Sequence, residues 1–165
     1  MDIEMRELVS EAELSNSVNV IRESFITVAN QFQLTRENAP TNAAFIELED
    51  LLKMKEKDVH LFGVFKDEIQ IGFFTIEKNN HLYYLNKLAV FFKEIFGYRH
   101  NGYGKKMLDF VFEYVKRAGG GKISIGIINE NLVLKNWYIQ NGFTETAIKN
   151  YPHLPFEVCL MEKNV

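Results

Sequence analysis

With 165 residues, 47% apolar and 25% charged, the chain has the size and make-up of one compact domain spanning residues 1–165, long enough to bury a sizeable core. A formal net charge of −3, with no basic stripe or arm, excludes a nucleic-acid footprint and leaves at most a mild preference for cationic substrates. Fourteen Phe and seven Tyr imply an aromatic core or a pocket with aromatic walls.

The first residues, Met1 to Arg6, are charged and lack the apolar core of a signal peptide. No stretch is apolar enough for a membrane span, so a cytoplasmic protein without a membrane partner is expected. Ile3, Met5 and Leu8 outline a short strand. Ser10 followed by Glu13 reads as a capping box, and a helix then runs to about Phe32 with Val18, Ile21, Phe25 and Val28 on one face. Residues 33–40 read as a connection. Thr41 is a candidate N-cap for a second helix carrying Phe45, Ile46, Leu48 and Leu52, with a solvated charged end at Lys53 to Lys57.

Three strands follow, at Val59 to Phe65, Ile69 to Glu77 and His81 to Val90, separated by the polar turns Lys66-Asp67-Glu68 and Lys78-Asn79-Asn80. After an irregular segment, Phe91 to Tyr98, a glycine-containing loop leads into an amphipathic helix over Lys105 to Arg117. Its apolar face holds Leu108, Val111, Phe112 and Val115, and Gly119-Gly120-Gly121 stops it. A strand at Ile123 to Ile128, a helix from Leu132 to Gln140 and closing strands at Phe143 to Ala147 and Phe156 to Met161 complete the chain. The lone cysteine, Cys159, lies in the last apolar run and reads as core, and no Cys/His cluster has metal-ligand spacing, so no metal is expected. The order βααβββαβαββ, mixing strand runs with strand–helix alternation, predicts an α/β fold with a mixed sheet.

The loop Arg99-His100-Asn101-Gly102-Tyr103-Gly104-Lys105 joins a strand to a helix. N–H groups at a helix start have no internal partner, and the helix dipole favours an anion there. The glycines allow close approach of backbone, and Arg99 adds a bidentate donor. This is a cradle for an anion such as a pyrophosphate, although a bare Gly-x-Gly also reads as an ordinary turn before a helix. A dinucleotide fingerprint fails because Met107 stands three residues after Gly104, and a P-loop fails because Lys106 follows Gly104-Lys105.

The segment Leu88-Ala89-Val90, then Arg99-x-x-Gly102-x-Gly104 and a helix, resembles motif A of the GNAT N-acetyltransferase superfamily. Asn131, then Tyr138 and Gly142-Phe143, resembles its motif B. The element order is similar to the family's acyl-CoA N-acyltransferase fold over nearly the whole chain. The resemblance implies that residues from Arg99 through His100, Asn101, Gly102, Tyr103 and Gly104 to Lys105 hold the pyrophosphate of acetyl-coenzyme A. It implies further that Leu88, Ala89 and Val90 offer backbone groups to the pantetheine arm, which enters a gap beside the strand at Ile123 to Ile128. Asn131 would contact the cofactor, and Tyr138 would act as general acid on the departing thiolate, with a backbone N–H near Val90 facing the developing oxyanion.

The sequence departs from that pattern in two places. The path from Val90 to Arg99 is long and lacks a proline, so Phe91, Phe92, Ile95, Phe96 and Tyr98 form either a flap near the substrates or a locally packed insertion. Where relatives carry a glutamate to relay the amine's proton, this chain reads Tyr84-Leu85-Asn86-Lys87. The general base is therefore unassigned: Glu77, His81 and Glu94 are within conceivable reach but read as surface, His100 faces solvent, and His60 and His153 are isolated. Phe25, Phe32 and Phe45 read as core that could also line an acceptor side. Two functions from different classes fit: an N-acetyltransferase acting on a small-molecule or peptide amine, as a monomer or homodimer, and a non-catalytic acyl-CoA-binding sensor of the same fold.

Overall fold

The computed structural model describes residues 3–90 and 102–165. A seven-stranded mixed sheet, in the order β1-β2-β3-β4-β5-β7-β6, runs through the molecule. The elements in chain order are β1 (Glu4–Glu7), α1 (Glu11–Gln31), a 3₁₀ turn (Ala43–Phe45), α2 (Leu48–Glu56), β2 (His60–Lys66), β3 (Ile69–Asn79), β4 (Leu82–Val90), α3 (Tyr103–Arg117), β5 (Lys122–Ile128), α4 (Leu132–Gln140), β6 (Thr144–Asn150) and β7 (Glu157–Asn164). The α/β class and the order βααβββαβαββ expected from the sequence are the ones observed.

Local chemistry explains most element ends. Ser10 accepts a hydrogen bond from the Glu13 N–H, and Glu13 reaches back to the Ser10 N–H, which starts α1 as a capping box. Asp67 and Glu68 both take positive φ, as a two-residue hairpin loop with the twist of its strands requires, and join β2 to β3. The region around Thr41 differs from expectation. Asn42, rather than Thr41, caps a short 3₁₀ turn by accepting from the Ala44 N–H at 2.9 Å. The chain then extends at Ile46, and α2 starts afresh at Leu48 behind a capping box of Glu47 and Asp50. The Asp50 carboxylate accepts from the Glu47 N–H at 2.9 Å, and the acidic first turn complements the helix dipole.

Helices cover both faces of the sheet. On one face, α3 and α4 bury Met107, Leu108, Val111, Val115 and Tyr138 against Phe74, Leu85, Ile125 and Ile127. On the other, α1 and α2 bury Leu14, Ile21 and Leu51 against Leu61, Phe73 and Ala89. Cys159 is fully buried, as its apolar setting predicts. Burial of this kind stabilises by roughly 25 cal/mol per Å² of apolar surface, so these two layers anchor the middle strands between them. No described helix is long and apolar enough to cross a membrane.

Candidate active site

The central strands β4 and β5 are parallel neighbours, yet they pair only at Tyr83–Ile123 and Tyr84–Ser124. Beyond that point β4 stays paired with β3 as far as Val90–Gly72, and β5 stays paired with β7 as far as Ile128–Val158. The two strands therefore diverge, and the edge of β4 from Leu85 to Val90 that would face β5 has no strand partner among the described residues. The origin of the split lies in β4. Asn86 pairs with Thr75 and Ala89 with Phe73, so three steps of β4 oppose two of β3. The extra residue makes a bulge, which bends a strand and adds twist. Lys87 occupies it with φ of 54°. Helix α1 fixes the strand end from the other side: the buried Ser24 hydroxyl shares its one proton between the Val90 carbonyl at 3.0 Å and the Val20 carbonyl at 2.6 Å.

Helix α3 begins at the open end of this cleft, two residues earlier than its periodicity suggests. Gly102 is its N-cap, with φ of 77° and no side-chain cap among the described residues, and a Cβ placed there would meet none of their atoms within 4 Å. No side chain among the described residues caps the first-turn N–H groups, and no acidic residue stands in that turn. Gly104 has a different reason to be glycine: a Cβ there would lie 3.0 Å from the Trp137 ring of α4. Tyr103 turns its side chain into the core, where its hydroxyl accepts from Lys66 at 3.1 Å, and Lys105 pairs with Asp109 at 3.2 Å. Within the described residues the start of α3 thus offers backbone groups rather than side chains. Arg99, His100 and Asn101, together with the segment Phe91 to Tyr98 and Glu94 within it, lie outside the described residues.

Helix α4 brings the motif B residues to the same end of the sheet. Asn131 caps it, its Oδ1 accepting from the Leu134 N–H at 3.3 Å, and is itself buried. Tyr138 is 5% exposed and wedged edge-on against Trp137 and Phe143, with ring centroids at 4.9 and 5.2 Å. Its hydroxyl has no hydrogen-bond partner among the described residues. No fully buried side-chain N or O among them lacks a partner, so this hydroxyl opens onto accessible space. Burial pushes the phenol well above its ordinary range, which keeps the proton on the oxygen at physiological pH.

Residues 25–143, more than half of the chain and all of the cleft described above, match the family model of the GNAT acetyltransferases. The chain belongs to this acetyltransferase family. Solved structures agree on the GNAT fold. The PaiA N-acetyltransferase of Thermoplasma acidophilum, crystallised with coenzyme A, is 23% identical with a TM-score of 0.73, and the match covers 100% of each chain. The ribosomal-protein-S18-alanine N-acetyltransferase of Escherichia coli is 12% identical with a TM-score of 0.74, over 99% of this chain and 94% of that one. A GNAT acetyltransferase of Elizabethkingia anophelis with acetyl-CoA bound is 16% identical with a TM-score of 0.66, over 99% and 98%. No curated protein matches the sequence.

In this GNAT chain the α1/α2 face of the sheet carries a polar row across four strands. Glu77 pairs with Tyr84, Tyr84 with Ser124, and Ser124 with Glu162. An open cavity at the β3–β4 hairpin is lined by Asn79, His81, Leu82, Tyr84, Lys122 and Glu162. Glu77 and His81, two candidate bases from the sequence, thus lie toward this hairpin, whereas Leu88 to Val90 lie at the opposite end of β4. His60 sits on the α3 face beside Tyr114, and His153 stacks on Tyr151, so neither joins the cleft. Phe25, Phe32 and Phe45 pack at the α1 side near Ile128, the last residue of β5. Sequence reasoning missed Ser24 and Lys87. Ser24 gives no local signal, and a lysine in a strand reads as solvated edge until the bulge and the overlying helix are known.

Proposed function

We propose that this GNAT chain is an N-acetyltransferase that binds acetyl-CoA in the cleft between β4 and β5 and transfers the acetyl group directly to a primary amine of a small molecule. The reading treats residues 1–165 as one N-acetyltransferase domain. The observation that carries it is the end of β4–β5 pairing after Tyr84–Ser124, directly before the uncapped start of α3. An unpaired strand edge suits an extended arm carrying amide groups, and a helix start with free N–H groups suits a pyrophosphate. The space around Gly102 supports the fit, since no described atom within 4 Å of its missing Cβ blocks the approach.

In this reading the backbone from Gly102 to Lys105, together with Arg99, His100 and Asn101, holds the pyrophosphate, and Leu88, Ala89 and Val90 hold the pantetheine arm. Asn131 adds a contact through its side-chain amide N–H, because its Oδ1 is already used to cap α4. Acetyl-CoA supplies an activated acyl carbon and a thiol leaving group. Tyr138 serves as general acid: its hydroxyl is protonated, without a partner among the described residues and open to accessible space. Such help is worth about 10²–10⁴-fold in rate. The acceptor side is the α1/α2 face, with Tyr84 and Ser124, the last pair before the split, at its inner end.

The test is release of free coenzyme A thiol from acetyl-CoA across a panel of small-molecule and peptide amines. Turnover of a small primary amine supports the proposal. Turnover of peptide amines alone shifts the acceptor class. Tight acetyl-CoA binding with no turnover of any amine would assign the chain to the non-catalytic acyl-CoA sensors instead.

A further inference from the structure

Lys87 combines three properties that a lysine in a strand seldom has together. It holds the bulge of β4 in the left-handed region, with φ of 54°, where a non-glycine residue is uncommon. It is half-buried on the face covered by α2, in the field of Asp50 on α2 and Glu77 on β3, yet it forms neither an ion pair nor a hydrogen bond with any described residue. Because no fully buried polar side-chain atom among those residues lacks a partner, its Nζ reaches accessible space. Burial holds its pKa below the usual lysine range, and the two carboxylates offset this only in part, so the neutral, nucleophilic amine is more populated than on a surface lysine. The next three residues are Leu88, Ala89 and Val90, the strand edge assigned above to the acyl arm.

We propose that Lys87 is a self-acetylation site, its ε-amine accepting an acetyl group from acetyl-CoA held in the cleft of the same molecule. This rests on the reading of the cleft as the acetyl-CoA site. The neutral Nζ attacks the thioester carbonyl carbon. A C–N bond forms, the C–S bond breaks, the sulfur leaves and is protonated to the thiol, and the nitrogen gives up a proton to water. From the ammonium form the balance is one acetyl-CoA consumed and one amide, one coenzyme A thiol and one proton produced. The product side chain is neutral and longer, so the modification removes a half-buried charge and fills space on the acceptor face.

The experiment incubates the full chain with deuterium-labelled acetyl-CoA in mildly alkaline buffer and follows acetyl-lysines by peptide mass spectrometry. The exposed Lys53, Lys116 and Lys149 are internal references. Lys87 is expected to label faster than these, since burial lowers its pKa and so raises its neutral fraction. Its rate constant should not depend on protein concentration, and excess unacetylated coenzyme A should suppress it. In Lys87→Arg the label at this position is lost while the reference lysines label as before. Labelling of Lys87 no faster than the references overturns the proposal. Calorimetric titration with acetyl-CoA separates the causes: binding without labelling overturns self-acetylation alone, whereas no binding overturns it together with the assignment of the cleft.

Discussion

The Trp137 ring lies 3.0 Å from the position a Cβ would take on Gly104, so the second glycine of the cradle is dictated by α4 packing against α3. The first, Gly102, is dictated by backbone conformation, and a Cβ there would meet no described atom within 4 Å. The two glycines should therefore fail differently. Gly104→Val forces the indole aside and should cost about 1–3 kcal/mol of stability, as overpacking does. Gly102→Trp should cost about 1 kcal/mol through its left-handed φ, while filling the cradle and lowering acetyl-CoA affinity by about tenfold or more. Thermal unfolding and calorimetric titration of both variants check this pair of outcomes.

Tyr138→Phe removes a hydroxyl without a partner among the described residues and leaves the ring contacts with Trp137 and Phe143 in place. Stability at neutral pH should change by less than about 1 kcal/mol, acetyl-CoA affinity should hold, and kcat should drop about 10²–10⁴-fold with any accepted amine. The wild-type phenol also predicts a pH signature. Its folded pKa is raised above the ordinary value of 10.0, so its contribution is complete below that value and is lost as pH rises beyond it, because the unfolded chain ionises first. Alkaline unfolding curves should be less steep for Tyr138→Phe.

Ser24→Ala deletes the buried donor that ties α1 to the last residue of β4. Losing it removes one hydrogen bond to the Val90 carbonyl, at a cost of about 0.5–1.5 kcal/mol. The loosened strand edge should also bind acetyl-CoA more weakly. Urea unfolding read beside acetyl-CoA affinity would show both effects; an unchanged midpoint would argue that the bond contributes nothing.

Lys87→Met removes a half-buried ammonium that lacks a described partner. Its folded pKa is lowered from 10.5, so the charged form destabilises the folded state at neutral pH, and the penalty disappears as pH rises through the folded pKa toward 10.5. The variant should melt higher than wild type at neutral pH, and the difference should shrink on going alkaline. Thermal melts across that range check the sign.

Local signals in the sequence determined a good deal of this protein. The Ser10–Glu13 box, the Asp67-Glu68 turn, the amphipathic face of α3 and the glycine stop after Arg117 act over a few residues, and each gave an element where it was expected. The start of a helix just after Gly102 was legible for the same reason, since the glycine and the amphipathic run behind it are local signals. Around Thr41 the local reading misplaced a helix start, because Asn42 and the Glu47–Asp50 pair offered competing caps and the extended Ile46, buried against the core, separated them. The split between β4 and β5, the bulge at Lys87, the tie from Ser24 to Val90 and the contact of Trp137 with Gly104 were decided only by tertiary structure. Each joins residues far apart in the chain or depends on how many residues two strands spend between shared pairs, and nothing in a short stretch of sequence encodes that count.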